Sequence, residues 1–153
     1  ATVIATTSSP AKAEQLRALG ASAVVNYVED PEWGKSVRKL TGGRGVDRVV
    51  EVGGPGTIGQ SPRAPALGGE IASIGFLSTE NPGIDFFQLK MSGASFRNIT
   101  VGDRAALIEL TRAVAATGLK PIIDRTYDFA DARDAFAHLD SGAHVGKVVI
   151  RLS

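Results

Sequence analysis

The sequence predicts an α/β fold: a doubly wound parallel sheet with helices on both faces. Three observations carry this reading. Short β-branched runs alternate with amphipathic helical stretches, the pattern of parallel strands joined by crossovers. Glycine is frequent, 18 of 153 residues, and aromatics make up only 6%, which suits many tight turns beside short strands. The 43% hydrophobic and 22% charged fractions are those of an ordinary globular chain.

The elements follow in order. Residues 2–6 (TVIAT) are a short strand. Ser9 and Pro10 then read as an N-cap and a first helical position, with Ala13, Leu16 and Leu19 on one face and Gly20 as the stop. Residues 23–27 are a second strand. Asp30 and Pro31 open a helix that places Trp33, Val37 and Leu40 together, and residues 41–45 are a loop. Residues 46–52 form a third strand, followed by the turn Gly53-Gly54-Pro55-Gly56. A helix over 57–67 is opposed by Pro62 and Pro65, since an interior proline costs about 3 kcal/mol, so a broken or shortened helix is expected.

Residues 70–76 are the fourth strand, 77–83 a polar loop, 85–91 a short helix and 95–101 the fifth strand. Asp103 caps a helix with Ala106, Leu107, Leu110 and Val114 on its apolar face, stopped by Gly118. Beyond it the rhythm changes to strand (121–127), helix (128–139, with Ala132, Ala135, Phe136 and Leu139 inward) and strand (145–152). This last part is expected in a different sheet. The domain reading is 1–118 for the main α/β unit and 119–153 for a C-terminal segment.

Composition narrows the function. With 17 basic and 16 acidic residues the net charge is +1, so the electrostatic footprint of a nucleic-acid binder is missing. There are no cysteines, which removes disulfides, thiol catalysis and Cys-ligated metal. No apolar run approaches the roughly 20 residues of a membrane span. A soluble, cytoplasmic protein without membrane or nucleic-acid partners is expected.

In open parallel sheets ligands sit beyond the carboxyl ends of the strands. The turn after the first strand, Thr7-Ser8-Ser9 with Lys12 one helical turn on, has hydroxyls, a helix N-terminus and a cation, and no acid. That set suits a phosphate, such as the 2′-phosphate of a dinucleotide; plain helix capping by Ser8 and Ser9, with a solvated Lys12, explains the same residues. Gly53 and Gly54, and Gly75 between Ile74 and Phe76, would let a ligand approach the backbone at two further strand ends; ordinary turns explain them equally. The dinucleotide-binding fingerprint G-x-G-x-x-G is read as absent between any strand and helix. Glu51, in an apolar strand, reads either as a buried general acid or as a hydrogen-bonded structural group. His138 and His144 lack metal-ligand spacing and read as surface or packing residues, and Lys147 as a solvated strand residue.

Taken together, VIATTSSPAKAEQLRALGASAVVNY, TGGRGVDRVVEVGGPGTIGQS, ALGGEIASIGFLS, NITVGDRAAL and HLDSGAHVGKVVIRL resemble, in the same order, the cofactor domain of the medium-chain dehydrogenase/reductase superfamily. The resemblance is to its zinc-type alcohol dehydrogenases and quinone oxidoreductases, and it covers nearly the whole chain. It implies a Rossmann-type domain whose first strand and Gly-rich loop lie outside these residues, and an NAD(P)(H)-dependent oxidoreductase as the intact protein. Any catalytic zinc would be bound outside this segment. The resemblance implies that Thr7, Ser8, Ser9 and Lys12 meet the 2′-phosphate with Tyr27 lining that pocket. It puts Gly53 and Gly54 near the ribose and pyrophosphate path. Ile74, Gly75 and Phe76 would border the nicotinamide ribose, and Asn98 and Thr100 the nicotinamide end. NADP(H) is favoured over NAD(H), and no catalytic residue is named. The prolines at 62 and 65, and Asp103 where a serine is common, depart from the family pattern.

Three further expectations follow. Without a strand between them, the strands at 2–6 and 46–52 are expected to close up, to admit another chain, or to leave the domain marginally stable. A homodimer is expected through the edge at Ser95 to Val101, with a small molecule as substrate. The isolated segment is expected to be inactive. The other reading is a non-enzymatic nucleotide-binding or dimerisation module.

Overall fold

A computed structural model describes residues 1–78 and 83–152. The chain forms two compact units, Ala1–Val101 and Gly102–Ser153. The division therefore falls after Val101, ahead of the expected boundary at 118.

The first unit runs β1 (Ile4–Thr7), α1 (Pro10–Ala18), β2 (Ala23–Asn26), α2 (Trp33–Leu40), β3 (Val46–Glu51) and α3 (Pro55–Ile58). A 3-10 turn (Ser61–Arg63), β4 (Pro65–Ser73), α4 (Phe86–Ser92) and β5 (Ser95–Asn98) complete it. β1 and β2 pair in parallel, with Ile4 opposite Ala23 and Thr7 opposite Asn26. β3, β4 and β5 form a second parallel sheet in that order. The α/β class and the parallel pairing expected from the sequence are both present.

β1 and β3 do not close up; they belong to separate sheets. A single helix, α2, touches both sheets. Trp33 and Val37 bury against Val25 and Ala64, and Ile4, Tyr27, Val46 and Val49 pack around them. The Arg38 guanidinium donates from Nη1 to the Pro65 carbonyl at 2.8 Å. One helix thus packs on strands of both sheets.

α2 begins at Trp33, later than Asp30-Pro31 suggests. Asp30 Oδ1 instead accepts the Glu32 N–H at 3.1 Å in a side-chain-closed turn that precedes the helix. The two prolines act as expected: only the four-residue α3 and the 3-10 turn form where a longer helix was opposed. β4 spans Pro65–Ser73, against an expected 70–76. Pro65 is tolerated as the first residue of the strand. Val46 faces Pro65 but Arg48 faces Glu70, so residues 66–69 bulge out of register. Ile71 and Ala72 are the buried centre of this sheet. Asp85 accepts the Gln88 N–H at 2.9 Å to cap α4. Residues 79–82 of the expected polar loop lie outside the described residues.

The second unit holds α5 (Arg104–Thr117), β6 (Ile123–Asp128), a 3-10 turn (Phe129–Asp131), α6 (Ala132–Asp140) and β7 (Lys147–Arg151). β6 and β7 pair in parallel in a sheet of their own, joined by α6. Asp103 caps α5 by accepting the Ala106 N–H at 2.9 Å, and Gly118 ends it in the left-handed region. The expected inward faces are not covered. Leu107, Leu110, Phe136 and Leu139 are exposed, and only Ala135 of α6 is buried. Helical periodicity identifies an apolar face but does not supply a partner for it. Among the described residues no helix is long and apolar enough to cross a membrane.

Candidate functional site

A cavity of about 750 Å³ opens at the carboxyl ends of β3, β4 and β5. Gly54, Ile74, Gly75, Phe76, Asn98 and Thr100, all expected at a site, line it together. Pro55, Ile58, Phe96 and Val101 also line it and were not anticipated. Their signal was available, since each sits in or just beyond a strand-end turn or on the last strand. Ser73, Asn98 and Thr100 bring the polar side chains, while Ile58, Ile74, Phe76 and Phe96 make an apolar wall. Phe76 is 84% exposed, so its ring stands open at this cavity. The size and the mixture of many apolar and few polar groups are those of a small-molecule or cofactor site.

Backbone proximity shapes the cavity. Gly54 has φ +73°, and a Cβ there would lie 2.6 Å from Phe76 Cα. A Cβ on Gly75 would lie 2.1 Å from the Val52 carbonyl oxygen. The β3 and β4 exits therefore press together, and only glycine fits at either place.

The turn after β1 is organised differently. Thr7 is buried, its Oγ1 accepts the Ser9 N–H at 3.4 Å, and its carbonyl accepts the Tyr27 N–H at 2.9 Å. Ser9 is the extended N-cap of α1, but its hydroxyl makes no capping bond. Ser9 and Pro10 thus take the cap and first-turn positions that the sequence predicts, without a side-chain capping bond. Ser8 is exposed, and Lys12 is half-buried on the first turn of the helix. Tyr27 is also half-buried and packs against the core around Trp33.

Glu51 resolves toward the structural option. It is 4% exposed, and its carboxylate accepts the N–H groups of Gly53 and Gly54 at 2.9 and 3.0 Å and the Thr57 hydroxyl at 2.6 Å. The Ser61 hydroxyl donates to its other oxygen. The expected absence of G-x-G-x-x-G is corrected here: Gly54, Gly56 and Gly59 have that spacing at this same turn after β3. It is not a phosphate cradle here, because the Gly53 and Gly54 N–H groups already point at Glu51.

In the second unit His138 is more than a surface residue. Its Nε2 lies 2.7 Å from Asp124 Oδ2, and its ring is 6.1 Å from those of Tyr127 and His144. The Val145 N–H and this histidine together hold the Asp124 carboxyl below the usual carboxylate range.

Fold and strand-end cavity together define the cofactor-domain type of a dehydrogenase. The chain belongs to the zinc-binding dehydrogenase family, whose model matches residues 1–116. It is 33% identical to a zinc-type alcohol dehydrogenase-like protein of Schizosaccharomyces pombe over 99% of this chain and 45% of that one. A candidate alcohol dehydrogenase of Sinorhizobium meliloti superposes with a TM-score of 0.86 at 40% identity, covering 99% of this chain and 44% of that one. A mycobacterial protein solved in complex with NADPH matches at a TM-score of 0.77 and 29% identity, over 97% of this chain and 48% of its own. The chain thus spans less than half the length of these relatives.

Proposed function

We propose that this chain binds NADP(H) and presents it for hydride transfer to or from a small carbonyl, alcohol or activated alkene. The observation that carries the reading is the cavity at the ends of β3, β4 and β5, where Gly54, Ile74, Gly75, Phe76, Asn98 and Thr100 converge. The cavity fits a nicotinamide nucleoside in size and in chemistry: an apolar wall for the ring, and hydroxyl and amide groups for its carboxamide and ribose. The relatives support the class. They include alcohol dehydrogenases, a quinone oxidoreductase and crotonyl-CoA reductases.

Once bound, the nicotinamide supplies or accepts the hydride. The chain's residues do the rest. Ile74 and Phe76 offer the bound ring an apolar surface on one side of the cavity, and Asn98 and Thr100 orient its polar contents. Thr7, Ser8, Ser9 and Lys12 take the adenosine 2′-phosphate. The preference for NADP(H) rests on that acid-free turn; NAD(H) is the other option, and two relatives are named NAD-dependent alcohol dehydrogenases. No residue of this chain is assigned as acid, base or zinc ligand. A catalytic zinc, where the intact protein uses one, belongs to residues outside this chain, and these residues alone turn over no substrate.

β5 pairs only with β4 among the described residues, so its other edge is open. We assign that edge, from Ser95 to Val101, to a second copy of the chain; a cytoplasmic setting goes with this reading. Titration with NADPH and NADH, followed by nicotinamide fluorescence, tests the whole. Tight NADPH binding weakened by Lys12→Ala supports it. A stable dimer that binds neither nucleotide favours a scaffold instead.

A further inference from the structure

We infer that Glu51 is a positioning residue that shapes the dinucleotide site; the inference rests on the cofactor reading above. Four donors converge on one buried carboxylate. The N–H groups of Gly53 and Gly54 come from the turn, the Thr57 hydroxyl from α3 and the Ser61 hydroxyl from the 3-10 turn. The main chain of the same residue acts on the neighbouring strand, because the Glu51 carbonyl accepts the N–H groups of Ile74 at 2.8 Å and Gly75 at 3.2 Å. Side chain and backbone of one residue thus hold both turns that line the cavity.

The arrangement has a chemical consequence. Two successive backbone N–H groups and a nearby hydroxyl are the donors that an anion-binding nest offers to a phosphate. Here the protein's own carboxylate occupies them. The turn is therefore closed to a ligand phosphate despite its G-x-G-x-x-G spacing. It shows the ligand the glycine Cα surface of Gly54, a wall of the cavity. Turned inward, the N–H groups hold the turn at the Gly54 φ of +73°. That geometry keeps the Gly54 backbone against Phe76, with room for no side chain at position 54.

The role is one of acceptor geometry. Glutamine keeps an acceptor oxygen for Gly53, Gly54 and Thr57, and its amide can donate to Ser61, whose hydroxyl rotates to accept. Alanine keeps nothing. A general acid would tolerate neither change.

The experiment uses the full natural polypeptide with Glu51→Gln and Glu51→Ala, reading hydrogen exchange at Gly53 and Gly54 and NADPH affinity well below each variant's Tm. For Glu51→Gln, protection is retained and affinity stays within about threefold. For Glu51→Ala, both amides exchange at least about tenfold faster and affinity falls by about tenfold or more. Should Glu51→Ala not fold, Thr57→Val, which removes a single donor, gives the same two changes at smaller amplitude. A folded Glu51→Ala with unchanged exchange and affinity overturns the inference, as does Glu51→Gln as damaging as Glu51→Ala, or Thr57→Val without effect. If the unaltered protein binds no dinucleotide, the cofactor reading fails, and the exchange data still decide whether Glu51 holds the turn.

Discussion

His138 Nε2 lies 2.7 Å from Asp124 Oδ2, tying α6 to β6 across fourteen residues of sequence. The other oxygen of Asp124 accepts the Val145 N–H at 3.0 Å, so one carboxylate on β6 holds both α6 and the turn that leads into β7. The native carboxyl is held below its ordinary value, first by the Val145 N–H and then by His138. A carboxyl depressed in the folded state contributes stability above its unfolded pKa, about 3.9, and loses that contribution as pH falls through the lower folded value. Asp124→Asn is therefore expected to lower the Tm of the second unit at pH 7. The gap between wild type and variant should shrink steadily below about pH 4. Melting curves at pH 7, 5, 4 and 3 check this, and a gap independent of pH contradicts it.

The approach of Gly54 to Phe76 gives a second prediction. Gly54→Ala places a Cβ 2.6 Å from Phe76 Cα at a φ of +73°. The left-handed conformation alone costs a non-glycine residue about 1–2 kcal/mol, and the collision must move one strand exit away from the other. Dinucleotide affinity is expected to fall by more than about tenfold, with a smaller loss of stability. Binding titrations and denaturant midpoints on the same sample separate the two effects. Gly83→Ala, at a similar φ of +72° but with nothing within 4 Å of an added Cβ, carries the conformational cost without the collision and should lose less affinity.

Gly34 is the corresponding point in the core. It has no room for a side chain: a Cβ there would lie 2.3 Å from the Gln60 carbonyl oxygen and 2.9 Å from Arg63 Cβ. Alanine would normally favour a helix over glycine by about 1 kcal/mol, so propensity predicts stabilisation. Packing predicts the opposite, since overfilling a tight contact costs about 1–3 kcal/mol. The contact wins because the obstacle is backbone. Gly34→Ala should lower the denaturant midpoint of the first unit, and a rise would show that α2 can shift off the 3-10 turn at little cost.

The strand-end cavity was legible because its residues announce themselves locally: Gly75 between two apolar residues, Gly54 in the turn after the third strand, and the polar positions 98 and 100 at the end of a short strand; Gly53, expected beside Gly54, does not line it. The broken helix was legible for the same reason, since Pro62 and Pro65 act on their own neighbours. What escaped depends on distant partners. Glu51 stands out as an acid in an apolar strand, but Thr57 and Ser61 reach it only through the short turns that the prolines create. The early start of β4 at Pro65 depends on a bulge opposite Val46 and Arg48, which no periodicity announces. Asp124 and His138 meet only because β6, α6 and β7 fold as one unit. The apolar faces of α5 and α6 were found correctly as faces, yet Leu107 and Phe136 remain exposed, because amphipathicity says nothing about what covers it.

Lys12 offers the sharpest test of nucleotide choice. It lies on the first turn of α1, three residues beyond the extended N-cap Ser9, whose hydroxyl makes no capping bond. A 2′-phosphate placed there would meet a cation, two serine hydroxyls and the positive end of the helix. NADH carries no such phosphate and would gain nothing from the cation. Lys12→Ala should therefore weaken NADPH by about 10- to 100-fold, the worth of one charge-assisted hydrogen bond, and leave NADH within about twofold. The NADPH affinity of the unaltered protein should fall with added salt more steeply than that of Lys12→Ala, because exposed charges are screened over about 10 Å at 0.1 M. Equal losses for both nucleotides would place Lys12 away from the 2′-phosphate and return the choice between NADP(H) and NAD(H) to other residues.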